Sequence, residues 1–137
     1  MAQDLANASA AAQEYQEHAV LSQDPDYCGQ LLYTAAVEAC EAAQTADRNH
    51  DLAQWSFWVG RAQMIAASFW DAARSDSESA QLFKQYHLLI WAALNTALLQ
   101  HDLEQLHIAH EALNECVRQI NRRLKARAST ASVDVAW

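Results

Sequence analysis

The chain has 137 residues, room for one domain, and apolar residues make up 52% of it. Two glycines and one proline fall far below the ~12% these residues average together, which excludes turn-rich sandwiches and barrels, parallel α/β folds and any glycine-rich phosphate loop. A net charge of −8 argues against nucleic-acid binding, which needs a basic face.

What remains is an all-α fold, and its elements can be taken in chain order. Residues 1–20 read as a separate short N-terminal helix or arm. Their stretch MAQDLANASAAAQEYQ has no basic start and no long apolar run, so it is not expected to be a signal peptide. The first long helix opens at Asp24-Pro25, because aspartate caps well and proline suits the first helical position. It is expected to run to about residue 46, with Cys28, Leu32, Ala35, Ala39 and Ala43 along one face. A polar link, Asp47–His50, follows. The second helix opens near Asp51 and places Trp55, Trp58, Ala62, Ile65, Phe69 and Ala72 on one seam.

Ser75-Asp76-Ser77-Glu78-Ser79 is a cluster of capping residues and marks a break. On the third helix the spacing puts Leu82, Tyr86, Leu89, Ala93 and Ala97 on one seam, with Trp91, Leu94 and Leu98 as a second apolar stripe. The fourth helix starts at Asp102, where Asp102-x-x-Gln105 resembles a capping box. Its seam is Leu103, Leu106, His110, Leu113, Val117, Ile120 and Leu124, interrupted only by the histidine. Residues 128–137 are expected to be a flexible tail. Long helices joined by short links are antiparallel neighbours, so residues 21–127 are expected to form an antiparallel up-and-down four-helix bundle.

Charge is distributed unevenly. Residues 1–117 hold 16 acids against 4 Lys/Arg, whereas residues 118–137 hold five bases and one acid. Those bases fit a helix C-terminus, where cations oppose the macrodipole. Cys28, Cys40 and Cys116 are too scattered for a disulfide framework, and no Cys-x-x-Cys pair suggests zinc. They read as small hydrophobes. The longest apolar run, Leu88–Leu94, is seven residues, too short to span a bilayer. A reduced, cytoplasmic protein is expected.

No residues read as catalytic, cofactor-binding or metal-binding. Glu104-x-x-His107 is one half of a di-metal bundle signature, but a second Glu-x-x-His is absent and the middle of the third helix has no glutamate. His107 and His110 could bind a surface metal, yet they read more simply as exposed or rim histidines. No Ser-His-Asp or Cys-His arrangement can be built, so binding is a better class than catalysis.

The apolar content exceeds what one seam per helix requires. Phe57, Met64 and Trp70 lie off the stripe of the second helix, and Tyr86–Leu99 is apolar nearly all round. Such a helix must be buried on most sides. The cover could be the N-terminal arm, a second copy in a homodimer, or a bound helix.

Tyr15-Gln16, then Pro25, then Leu32-Tyr33 stand at the intervals found in flagellin export chaperones of the FliS type. Arg61-Ala62-Gln63-Met64-Ile65 is similar to that family's Lys-Ala-Gln-x-Ile stretch. Gln81-Leu82 through Tyr86 and the Asp102-Leu103-Glu104 turn also resemble its motifs. The resemblance covers about residues 13–124. Asp24 stands for the family's serine, Cys28 for a leucine, Thr34-Ala35 for Asp-Gly and Gln85 for a leucine.

The resemblance implies an antiparallel four-helix bundle that binds the C-terminal helical segment of flagellin, blocks its premature assembly and delivers it to the flagellar type III export gate. It implies a client groove at Leu32, Tyr33, Trp91, Leu94 and Leu98, although Leu32 and Tyr33 also suit plain core packing. Tyr15, Val20 and Leu21 would anchor the arm, with Tyr15 touching the export gate. The alternative is a self-associating helical bundle without a flagellin client.

Overall fold

Asp24 opens the first helix as its chemistry demands: its side chain accepts a hydrogen bond from the Asp26 amide at 3.0 Å, and Pro25 takes the first turn. In this computed structural model the described residues are 24–72 and 77–135. Among them the chain forms α1 (Pro25–Arg48), α2 (Leu52–Ala72), α3 (Glu78–Gln100) and α4 (Leu103–Val135). Each packs on its neighbours in the cycle α1–α2–α3–α4–α1, the closed order of an antiparallel four-helix bundle.

The remaining caps also follow the sequence. The Asp51 side chain accepts from Gln54 N, that of Ser77 from Ala80 N and that of Asp102 from Gln105 N, at 3.1, 3.2 and 3.1 Å. The turns are made without glycine. His50 and His101 take the left-handed conformation instead, with φ of 55° and 51°. His101 is held there by the Asp47 carboxylate and by stacking on buried Trp55, at 4.3 Å between ring centres.

The interior contains Trp55, Val59, Ala62, Ala66 and Phe69 from α2, and Leu106, Ala109, Leu113, Cys116 and Ile120 from α4. Here the expected seams hold at most positions, and Trp58, Ile65 and Val117 pack against the core's edge. On α1 Ala39 and Ala43 are buried as expected, but Tyr33, Ala36, Val37 and Cys40 also point inward, while Leu32 sits at the margin. Gly29 lets α1 approach α4 closely, since a Cβ there would lie 2.7 Å from Ile120 Cδ1.

Two expectations at the C-terminal end are corrected. α4 runs on through residues 128–135, where a tail was expected, because alanine, serine and threonine without glycine or proline supply no stop signal. Arg123 and Arg127 therefore stand within the helix rather than at its end. They reach across to the first turn of α1, where Arg123 pairs with Asp26 at 2.9 Å and Arg127 pairs with both Asp24 and Asp26. The Arg127 guanidinium holds the Asp24 carboxyl below its usual range. The expected arm, residues 1–20, lies outside the described residues.

Candidate functional site

α3 faces the bundle through a different stripe from the one its leucines suggest. His87, Ile90, Ala93, Leu94 and Ala97 are buried. Leu82, Tyr86 and Leu89, expected on the seam, are exposed, Leu82 at 62% and Leu89 at 69%. The polar residue is inside because its hydrogen bonds are satisfied there. The Phe83 carbonyl lies 2.8 Å from His87 Nδ1 and can only accept, so Nδ1 carries the proton. Nε2 is then an acceptor, and the Tyr33 hydroxyl donates to it at 2.7 Å.

Rings from three helices surround this pair. Tyr33 stacks on Phe69 with centroids 4.1 Å apart, and His87 lies 4.1 Å from the Phe83 ring and 5.0 Å from that of Phe69. Burial holds His87 below its ordinary value, partly opposed by the Phe83 carbonyl. Burial likewise raises Tyr33, and the nearby Cys116 adds to it. The Cys116 thiol is also raised by burial, and burial pushes Cys40 up to about 12. The imidazole, phenol and thiols are thus all held neutral. A nucleophilic site needs the opposite shift in its thiol, so the cluster reads as a knot tying α1, α2 and α3.

The outer surface is where the apolar excess appears. Phe57 and Met64 on α2, Leu82, Leu88, Leu89 and Leu99 on α3 and Ile108 on α4 are all exposed. Two cross-helix bonds fix how these stripes adjoin. Gln63 donates to Asn95 at 3.1 Å between α2 and α3, and Tyr86 donates to the Ala112 carbonyl at 3.3 Å between α3 and α4. In the antiparallel register set by Tyr86 and Ala112, Leu89 lies level with the turn holding Ile108. Lys84 sits 6.0 Å over the Trp70 ring, at the other border of α3. The result is an apolar surface spread across the outside of α2, α3 and α4.

The residues expected to form a groove are not together on this surface. Leu94 is fully enclosed and Tyr33 is buried, so both are corrected to core positions in this arrangement. Leu32 and Leu98 are partly buried at the core's edge. Trp91 is 36% exposed. Tyr15, Val20 and Leu21 lie outside the described residues. Glu104 and His107 are both exposed. The outer leucines 88, 89 and 99 were missed as surface positions. The signal for them was His87 itself, since a histidine able to pair with Tyr33 turns the buried stripe away from Leu89.

No helix among the described residues is long and apolar enough to cross a membrane. Among the described residues the chain is a helical bundle with an enclosed apolar core and further leucines and aromatics on its outside, a pattern that marks interaction surfaces. The sequence matches the profile of the family described as flagellar protein FliS over residues 7–123, the greater part of the chain. The chain therefore belongs to the FliS family, which places it among chaperones of the flagellar system. No curated protein matches the sequence.

Proposed function

We propose that this protein is a cytoplasmic export chaperone that binds the C-terminal helical segment of flagellin, prevents its premature polymerisation and delivers it to the flagellar type III export gate. Membership of the FliS family carries the reading, and the exposed apolar surface on α2, α3 and α4 gives it a physical mechanism. An amphipathic client helix would lay its apolar face on Trp91, Leu88, Leu99 and Met64, folding as it binds. Leu32 and Leu98 would contribute from the edge of the core. Tyr15, Val20 and Leu21 would occupy the same surface when no client is present, with Tyr15 making the export-gate contact.

The test is to mix the full chain with a flagellin C-terminal segment from the same cell and measure mass by light scattering and helicity by circular dichroism. A monomer that converts to a 1:1 complex, with more helix than the separate partners, is the expected result. A stable homodimer that ignores the segment would overturn the proposal in favour of self-association.

A further inference from the structure

We propose that the edge between α1 and α4 carries a binding site for a divalent transition metal, with zinc as its best fit. His107, His110 and Glu111 each offer one ligand atom, and these atoms all lie within 4.8 Å of one another. Spacings of three and four residues put the three side chains on one face of α4. Leu106, Ala109 and Leu113 are buried, and beside them His107 and Glu111 stand exposed while His110 is half-buried at the margin. Glu104, the carboxylate that the sequence pairs with His107, is not in the cluster, and Glu111 takes its place.

Two further contacts make this more than a pair of surface histidines. Glu41 of α1 brings Oε1 to 3.8 Å from His110 Nε2, so a second helix supplies a carboxylate at the same nitrogen. The Asn114 amide nitrogen lies 3.3 Å from that Nε2. Two imidazoles and a carboxylate suit zinc, nickel or copper and not magnesium or calcium. Three protein ligands leave a fourth tetrahedral position, which Glu41 can fill. A metal so held would join α1 to α4 and add to folding stability in proportion to its occupancy. The site uses no residue of the proposed client surface, so the two proposals stand or fall separately.

Calorimetric titration of the full chain with zinc chloride, its cysteines kept reduced by a phosphine, tests this. One zinc per chain is expected, undisturbed by excess magnesium, with a rise in melting temperature. His107→Ala changes an exposed side chain and should preserve the circular dichroism spectrum while weakening zinc binding by about tenfold or more. Glu111→Gln should weaken it in the same direction. Glu41→Gln should shrink the zinc-induced rise in melting temperature, and an unchanged rise would remove Glu41 from the site. Absence of zinc binding, or wild-type zinc binding by both His107→Ala and Glu111→Gln, would overturn the proposal.

Discussion

Leu94 and Leu89 stand five residues apart on α3 and meet opposite surroundings. Leu94 is enclosed by the other helices, while Leu89 is 69% exposed. The same residue type on the same helix therefore serves the core on one side and remains available for binding on the other. The difference teaches that apolar spacing alone does not identify the inward face of a helix that is apolar nearly all round. What identifies it is the polar residue that must be satisfied: His87 finds both its partners inside, and Leu94 follows it inward two turns later.

The largest effect that could break this comparison comes from truncating the inner leucine. Leu94→Ala removes a side chain with no solvent exposure and leaves a cavity, at a cost of about 2–5 kcal/mol in urea-induced unfolding. A loss below about 0.5 kcal/mol would place Leu94 on the surface after all and restore it to the client groove.

The next test sharpens the role of His87. Tyr33→Phe removes the donor from a buried Nε2 and should cost about 1–3 kcal/mol. The same contact shapes the pH response. Burial holds the folded His87 below its ordinary value, whereas the unfolded chain takes up the proton at about 6.5. Between the folded value and about 6.5 the unfolded state binds more protons, so stability falls as pH drops through that window and levels off below it. His87→Gln lacks this component, so its melting temperature should approach the wild-type value as pH falls from about 7.5 towards 5. Parallel losses in both proteins would show that His87 is not held neutral.

Much of this bundle is legible in the sequence, for physical reasons that differ between helices. The seams of α2 and α4 are readable because Trp55, Ala62 and Phe69, or Leu106, Leu113 and Ile120, alternate with polar neighbours. Asp24 and Asp102 are readable as caps because their carboxylates are suited to exposed amides. α1 is harder: alanine covers several of its faces, and the expected stripe takes Leu32 where the core takes Tyr33. Tyr33 is inside because His87 accepts from its hydroxyl, a partner 54 positions away that no local pattern contains. The reach of Arg123 and Arg127 to the first turn of α1 is hidden for the same reason. The left-handed histidines at 50 and 101 replace the glycines that normally announce a turn, and the end of α4 carries no signal that would have placed it at Val135.

The smallest effect on stability is expected at the outer leucines, and it is the most informative about function. Leu89→Gln and Leu99→Gln keep helix propensity nearly constant and change side chains that are mostly in water already. Each should alter unfolding free energy by no more than about 0.5 kcal/mol. If a flagellin helix docks on this face, the same substitutions should weaken its binding clearly, because the client loses apolar contact that the free protein never had. A core residue cannot give that combination, since whatever weakens its contacts also weakens the fold. Stability unchanged and client affinity reduced would assign the outside of α3 to the guest helix. Unchanged affinity in both variants would move the docking surface away from α3, leaving the outer side of α2, with Phe57 and Met64, as the place to look.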